Sequence, residues 1–215
     1  MQPKFPARGL YAITAARYPD TERLLAEAGA ALAGGAVMLQ FRDKSGDPAW
    51  RLAAARALHE LCERWGVPLV INDDVELARA VAAAGVHLGG EDADPASARD
   101  RLEPGTIIGV SCYDSLQRAE RAVAAGADYL AFGSLFDSHT KPAAVRCPLA
   151  VLEAARQLGL PLVAIGGLTP ENGGRAIAAG ASLLAVISGV FDQPDVQAAA
   201  RRFMRLWRPT GSTGA

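Results

Sequence analysis

Short apolar runs alternate with longer segments rich in Ala, Leu and Arg along most of the chain, and this alternation constrains the fold more than any other feature. Most of the runs are continuously apolar, which is typical of strands that are buried on both faces. Eight strands are predicted, over residues 10–14, 37–42, 68–72, 86–88, 107–111, 129–133, 161–165 and 183–187. Such strict alternation of strands and helices implies parallel strands joined by right-handed crossovers.

The segments between the predicted strands carry helix signals at their ends. Asp47-Pro48 supplies a capping residue followed by proline in the first turn, and Thr169-Pro170-Glu171 repeats the pattern before a helix predicted over residues 172–179. Further helices are predicted over residues 20–33, 114–125, 148–158 and 195–207. Three Ala-rich segments are predicted to end helices at a glycine, namely Gly85, Gly126 and Gly180.

Eight strand–helix units in 215 residues favour a (β/α)8 TIM barrel, an α/β fold in one domain. An open, doubly wound sheet is the alternative, since it has the same alternation of elements. The barrel is predicted to span residues 1–209. Residues 210–215 are small and polar, and a disordered tail is predicted there.

Composition excludes several classes of function. The chain has 22 basic and 23 acidic residues and a net charge of -1, so it lacks the basic excess of a nucleic-acid-binding protein. Its apolar stretches fall short of the roughly 20 residues that cross a membrane, and no signal peptide is visible. Three cysteines are too few for a disulfide framework. A cytoplasmic protein with no nucleic-acid or membrane partner is expected.

Polar residues follow the predicted strands, at the end of the barrel where catalytic groups of this fold lie. Gln40, Arg42 and Lys44 end the second strand, and all three point the same way because side chains alternate along a strand. The later strand ends and their loops contribute Asn72, Asp73, Asp92, Ser111, Ser138, Thr140, Lys141, Gly166, Gly167, Ile187 and Ser188.

These residue types indicate two anion sites. Arg42, Lys44 and Lys141 are cations that suit phosphate oxygens. Asp73 and Asp92 suit Mg²⁺, which commonly takes one or two carboxylates together with substrate phosphate and water. Glycines after the seventh strand let backbone N–H groups approach an anion. The pattern therefore predicts a diphosphate site with a metal and a separate monophosphate site built from backbone amides.

Each feature also has a purely structural interpretation. The residues from Gln40 to Lys44 fit a solvated strand end, and Asp73 fits the cap of the following helix. Gly166-Gly167 fits a tight turn, and His87, between two apolar residues, fits a packed core histidine. The functional interpretation depends on all the polar groups falling at one end of the barrel, which scattered surface residues would not do.

Taken together, the motifs resemble the thiamine phosphate synthase family over residues 9–191. The resemblance is carried by Leu10-Tyr11-Ala12-Ile13-Thr14, Gln40-Phe41-Arg42-Asp43-Lys44, Val70-Ile71-Asn72-Asp73, the segment 85–92, Ile108-Gly109-Val110-Ser111, Thr140-Lys141-Pro142, Ala164-Ile165-Gly166-Gly167 and Ile187-Ser188. It implies a transferase that joins an aminopyrimidinylmethyl diphosphate to a thiazole phosphate, giving thiamine phosphate and diphosphate. It also implies Mg²⁺ as cofactor and a dissociative substitution.

The resemblance implies a role for each matching residue. Four would hold the pyrimidine diphosphate: Gln40, Arg42, Lys44 and Asn72. Ser111 would contact the pyrimidine, Lys141 would reach the diphosphate, and Asp73 and Asp92 would bind Mg²⁺. Five would contact the thiazole phosphate: Ser138, Thr140, Gly167, Ile187 and Ser188. The implied catalytic residues are Lys44, Ser111 and Lys141.

The chain departs from the family pattern at Gly90, where glutamine is common, at His139, where proline is common, and at Phe41, where leucine is common. Three rivals stay open. One is a thiazole tautomerase-like isomerase on the same barrel, which would lack the diphosphate and metal residues kept here. Another is a sugar-phosphate or tryptophan-pathway barrel, which would need an acid/base pair. The last is a non-catalytic thiamine-precursor-binding protein. A homo-oligomer and the carboxylation state of the thiazole are also left open.

Overall fold

The computed structural model describes residues 5–90, 94–137 and 145–207, and eight parallel strands in this part of the chain close into a barrel. The strands are β1 (Gly9–Ile13), β2 (Met38–Phe41), β3 (Leu69–Asn72), β4 (Gly85–Leu88), β5 (Ile107–Tyr113), β6 (Tyr129–Phe132), β7 (Leu162–Ile165) and β8 (Leu183–Val186). Each strand pairs with its neighbours in sequence, and β1 closes the barrel against β8 with Tyr11 opposite Ala185. The (β/α)8 barrel is therefore confirmed, and the open sheet is wrong.

Nine helices accompany the strands in the described ranges. They are α1 (Thr21–Ala33), α2 (Pro48–Trp65), α3 (Val75–Ala80), α4 (Pro95–Arg101), α5 (Leu116–Ala124), α6 (Leu149–Ala155), α7 (Gly173–Ala178), α8 (Ser188–Phe191) and α9 (Val196–Met204). Six begin after a side chain that accepts hydrogen bonds from the first-turn amides: Asp20, Asp47, Asp74, Asp94, Ser115 and Asp195. These caps satisfy amides that lack a partner within the helix.

Two helix-boundary predictions are wrong. α7 confirms the helix predicted over residues 172–179, but Thr169-Pro170 is not its first turn, because the Thr169 hydroxyl accepts from the amides of Glu171 and Asn172 and folds this segment into a turn before the helix. Gly85 does not end α3 but is the first residue of β4. A side chain at Gly85 would put its Cβ 2.6 Å from the Ile107 carbonyl oxygen, so glycine allows β5 to lie close. Gly126 and Gly180 follow their helices as predicted.

Each strand is buried on both faces. Outward residues such as Leu39 and Phe132 pack with the helices, and inward residues such as Met38, Val163 and Leu183 fill the barrel. This two-sided burial explains why the strands read as continuous apolar runs. Towards the carboxyl ends of β2, β3, β4 and β5 the inward positions become polar, with Gln40, Asn72, His87 and Ser111, and this change places the candidate site.

The barrel interior leaves no room for a side chain at Gly109. A Cβ there would overlap the ring of Tyr129, which is fully buried. We expect Gly109→Ala to lower the free energy of unfolding by about 3 kcal/mol, because the ring must shift within a packed interior. Urea unfolding measures this. Gly29→Ala is the matched control, since its Cβ has no neighbour within 4 Å. Equal stability of the two variants would contradict the packing argument.

The cysteines of the described part of the chain form no disulfide framework. Cys62, Cys112 and Cys147 are all free and buried. Burial raises the pKa of the Cys62 and Cys112 thiols to about 12, so neither is a thiolate at neutral pH. Among the described residues, no helix has both the length and the apolar character needed to cross a membrane. The predicted tail, residues 210–215, lies outside the described residues.

Candidate active site

A cavity of about 560 Å³ opens at the carboxyl ends of the strands. Nine residues predicted for the site line it: Gln40, Arg42, Lys44, Asn72, Asp73, Ser111, Gly167, Ile187 and Ser188. The other four, Asp92, Ser138, Thr140 and Lys141, lie outside the described residues, as does His139. The barrel thus gathers into one cavity every predicted site residue that the structure describes.

A cation and a carboxylate meet at one side of the cavity. The Lys44 ammonium lies 3.0 Å from Asp73 Oδ2, and both side chains are partly exposed. The Asp73 amide donates to the His87 carbonyl oxygen over 2.8 Å, which joins the ends of β3 and β4. The cap of α3 is Asp74, whose Oδ1 accepts from the Leu77 amide, so the interpretation of Asp73 as a helix cap is wrong. The Asp73 carboxylate is left to face the cavity.

The residues present are compatible with a magnesium ion. In the described part of the chain no group of three or more His, Cys, Asp or Glu residues could hold a metal. Mg²⁺ needs only one or two carboxylates when substrate phosphates and waters complete its shell. The partly exposed Asp73 carboxylate beside Lys44 is a group of the kind that this coordination requires. The predicted second ligand, Asp92, lies outside the described residues.

The end of β2 is held so that alternate residues face the cavity. Phe41 points outward and packs on Trp50, with 6.0 Å between ring centroids. Gln40 and Arg42 therefore face inward, as predicted, and both line the cavity. The Arg42 amide donates to the Thr14 hydroxyl over 2.9 Å, which ties the strand end to β1. A leucine-to-phenylalanine exchange at position 41 consequently changes the outer core and not the cavity.

The opposite side of the cavity, after β6, β7 and β8, has no charged side chain among the described lining residues. Gly167 there has a positive φ of 63°, and its carbonyl accepts from Asn172 Nδ2 over 2.8 Å. A Cβ at Gly167 would lie 2.6 Å from the Phe136 carbonyl carbon, so the loops after β6 and β7 touch through backbone. The glycine pair is thus both a tight turn and part of the cavity wall, and an anion here would meet backbone amides.

Sequence reasoning missed a chain of hydrogen-bonded side chains that crosses the barrel interior. Gln40 Nε2 donates to the Tyr11 hydroxyl over 2.7 Å, and the Tyr11 and Tyr129 hydroxyls lie 3.0 Å apart. His87 Nδ1 lies 2.8 Å from the Tyr129 hydroxyl, and His87 Nε2 lies 2.9 Å from Ser111 Oγ. We call these five side chains the polar chain. The interpretation of His87 as a packed core histidine is confirmed, since its ring stacks on Tyr129 inside the barrel and both ring nitrogens have partners, and the same ring also borders the inner end of the cavity.

The groups of the polar chain are uncharged at neutral pH. Burial lowers the pKa of His87 to about 4, and the nearby Asp73 carboxylate only partly opposes this. Burial likewise raises the pKa of the Tyr11 and Tyr129 hydroxyls above their usual range. An imidazole that stays neutral carries a single proton, and it can therefore donate from only one of its two nitrogens.

The depressed pKa of His87 predicts loss of stability in acid. Between pH 6.5 and about pH 4 the unfolded chain protonates this histidine and the folded protein does not, so stability falls as the pH falls. We expect His87 to account for about 3 kcal/mol of this loss. Urea unfolding of wild type and His87→Gln at both pH values measures it, because the other titrating groups cancel. Parallel pH profiles for the two proteins would contradict the prediction.

Tyr113 lines the cavity and Arg118 supports it from behind, and sequence reasoning missed both. The Arg118 guanidinium stacks on the Tyr113 ring at 5.5 Å from its centroid and donates to the Ser111 and Gly89 carbonyl oxygens. The Tyr113 hydroxyl accepts from the Gly90 amide over 3.1 Å. A Cβ at Gly90 would lie 3.1 Å from this hydroxyl, so the tyrosine occupies the space beside the glycine.

Comparisons with known proteins show which family the chain resembles. The family model for thiamine monophosphate synthase matches residues 10–190. A thiamine-phosphate synthase of Thiobacillus denitrificans is 54% identical over 204 residues, covering 94% of this chain and 96% of that protein. One from Aromatoleum aromaticum is 52% identical over 201 residues, covering 93% and 96%. A solved thiamine phosphate pyrophosphorylase from Pyrococcus furiosus superimposes with a TM-score of 0.83 at 32% identity, covering 92% and 94%.

Proposed function

The chain belongs to the thiamine monophosphate synthase family and is an enzyme of thiamine biosynthesis. On this basis we propose that it couples a 4-amino-2-methyl-5-pyrimidinylmethyl diphosphate to a thiazole phosphate, and that the reaction needs Mg²⁺. The observation that carries the proposal is the division of the cavity. One side has Arg42, Lys44 and Asp73, and the other has no charged side chain in the described lining. A cavity with one charged and one uncharged side suits two different phosphorylated substrates better than it suits a single one.

The charged side is assigned to the diphosphate. Arg42 and Lys44 provide positive charge close to the Asp73 carboxylate. We assign the metal to Asp73 together with Asp92, and when bound the ion would offset the negative charge of the diphosphate oxygens. Lys141 is assigned to the same group. In the absence of substrate, the ion pair between Lys44 and Asp73 holds the ammonium and the carboxylate at the side of the cavity that is assigned to the diphosphate.

The reaction begins at the bond between the pyrimidine methylene carbon and the diphosphate oxygen. That bond breaks and its electron pair leaves with the diphosphate, so negative charge grows on the leaving oxygens next to Arg42 and Lys44. The residual pyrimidine cation needs no protein nucleophile. Gln40 and Ser111, at the inner end of the cavity, are assigned to hold the ring during this step.

The uncharged side is assigned to the thiazole phosphate. Backbone amides around Gly167, Ile187 and Ser188 would bind its phosphate, together with the side chains of Ser138 and Thr140. The thiazole nitrogen then attacks the methylene carbon and forms the new C–N bond. Binding both substrates in one cavity replaces a bimolecular encounter by a positioned one, and it keeps water from the cation.

A coupled assay tests the proposal against its rivals. Both precursors are supplied with and without Mg²⁺, and thiamine phosphate and diphosphate are measured separately. We expect the two products in equal amounts, and only when both precursors and the metal are present. Isomerised thiazole without diphosphate would indicate a tautomerase. Binding of the precursors with no product of either kind would indicate a non-catalytic binding protein.

A further inference from the structure

The order of donors and acceptors along the polar chain determines whether Ser111 offers a hydrogen or a lone pair to a ligand in the cavity. We propose that its hydrogen bonds run one way, from the Gln40 amide to the Ser111 hydroxyl, so that Ser111 must present its own hydrogen to the cavity. A ligand ring then needs an unprotonated nitrogen, or another acceptor, opposite Ser111. The identity of that ring as a pyrimidine rests on the proposed function.

The polar chain contains one residue from each of five strands. Tyr11 comes from β1, Gln40 from β2, His87 from β4, Ser111 from β5 and Tyr129 from β6. Each link lies between 2.7 and 3.0 Å, so every neighbour is within hydrogen-bond distance. The rings also support one another, since His87 stacks on Tyr129 at 5.6 Å and Tyr11 meets Tyr129 edge-on at 6.1 Å.

With the Gln40 amide oriented so that Nε2 faces Tyr11, counting hydrogens fixes the direction. Tyr11 accepts from Gln40, so its own hydrogen can go to Tyr129. Tyr129 can then donate to His87 Nδ1, which leaves the single imidazole proton on Nε2, pointing at Ser111 Oγ. The serine oxygen accepts the hydrogen bond from this N–H, and the serine's own hydrogen is available to the ligand. Every phenol and imidazole hydrogen has an acceptor in this arrangement.

The opposite direction leaves a buried donor without a partner. If Tyr129 donated to Tyr11, the Tyr11 oxygen would accept twice, and its hydrogen would find no third acceptor among the described residues. An unsatisfied hydroxyl in a buried position is costly. The reverse chain becomes possible only if Gln40 turns its amide over and accepts from Tyr11, and Ser111 would then offer lone pairs to the cavity instead of a hydrogen.

The consequence concerns which ring is selected. An aminopyrimidine has unprotonated ring nitrogens beside its amino group, whereas the corresponding oxo analogue carries a hydrogen on one ring nitrogen. Ser111 keeps a second lone pair, but its hydrogen has no other acceptor among the described residues, so a ligand N–H opposite it would leave that hydrogen unpaired. The serine therefore favours the first ring and opposes the second. Tyr11, Tyr129 and His87 do not touch the ligand in this proposal. They are positioning residues that act through Ser111 and Gln40.

The tautomer of His87 tests the direction without any turnover. Nitrogen-15 NMR of the labelled wild-type protein at pH 7 distinguishes an Nε2–H from an Nδ1–H imidazole, and His87→Gln identifies the signal. We expect the Nε2–H form. Finding the Nδ1–H form would overturn the proposal. Because no substrate is involved, this result stands even if the proposed function is wrong.

Selectivity tests the consequence. The ratio of kcat/KM for the aminopyrimidine diphosphate to that for its 4-oxo analogue is measured in wild type and in Tyr129→Phe, which keeps the ring and removes the central hydroxyl. We expect the ratio to fall about tenfold, with the KM for thiazole phosphate unchanged. His87→Gln, whose amide can still donate to Ser111, should keep more of the ratio than His87→Ala.

The matched control is Tyr18→Phe. Its hydroxyl accepts from the Ala15 amide and is not part of the polar chain, so the ratio should equal that of wild type. An unchanged ratio in Tyr129→Phe would overturn the selective role of the chain. Absence of turnover with either pyrimidine in wild type would instead count against the proposed function, and the NMR result would then decide the direction alone.

Discussion

Asp73→Asn is expected to lower kcat/KM for coupling by about a thousandfold while the protein stays folded. Asn has nearly the same shape but lacks the negative charge that would hold Mg²⁺ and orient Lys44, whose ammonium lies 3.0 Å from the carboxylate. The lower rate reflects slower departure of the diphosphate, because this is the step in which negative charge develops on the leaving oxygens. Diphosphate release under saturating Mg²⁺ and both precursors measures it, and circular dichroism checks the fold.

The neighbouring residue supplies the control for this variant. Asp74→Asn makes the same chemical change one position along, but Asp74 caps α3 and pairs with Arg51 at 3.0 Å. Asn is also a good cap, so activity should stay within about threefold of wild type. Equal losses in the two variants would mean that general charge near β3, and not a metal ligand, is responsible. Full activity of Asp73→Asn would remove Asp73 from the metal site.

Gly167→Ala is expected to raise the KM for thiazole phosphate by about a hundredfold, with a much smaller effect on the KM for the pyrimidine diphosphate. The backbone at Gly167 has a φ of 63°, and a Cβ would lie 2.6 Å from the Phe136 carbonyl carbon, so the loop must move. Moving it would displace the backbone amides proposed to bind the phosphate, and strain of this kind costs about 1–3 kcal/mol. Initial-rate kinetics with each substrate varied in turn measure both constants.

Gly174→Ala is the matched control for the glycine variant. Gly174 lies in the next helix, α7, and its Cβ would meet no atom within 4 Å. Both Michaelis constants should stay at wild-type values, and helix propensity should increase stability slightly. A comparable rise in both constants for Gly167→Ala would indicate a general disturbance of the barrel rather than loss of a phosphate site.

Much of this architecture could be predicted because it depends on local periodicity. Continuous apolar runs identified the strands, with ends within two residues of those observed, and capping residues such as Asp47 marked helix starts. Alternation along β2 placed Gln40 and Arg42 on the inner side, opposite to Phe41. In each case the residues concerned are close in the chain, and backbone geometry alone relates their side chains.

Other features could not be decided from the sequence because two local interpretations were equally good. Asp73 and Asp74 are adjacent acids before one helix, and only the backbone, with φ of 65° at Asp73, decided that Asp74 is the cap. The sequence around His87, with an apolar residue on each side, is compatible with a side chain that faces the helices or with one that faces the barrel interior. Its place inside the cavity followed from the register of β4, with His87 opposite Asn72 on β3 and Gly109 on β5.

By itself the sequence determined the eightfold alternation, the end of the barrel that carries the polar groups, and the family. Only the tertiary structure decided which polar side chains meet inside the barrel. Tyr11 and Tyr129 are 118 residues apart, yet their hydroxyls lie 3.0 Å from each other. The physical reason is that closure of the barrel sets the register of distant strands along the barrel axis, and no local pattern of side chains encodes that register.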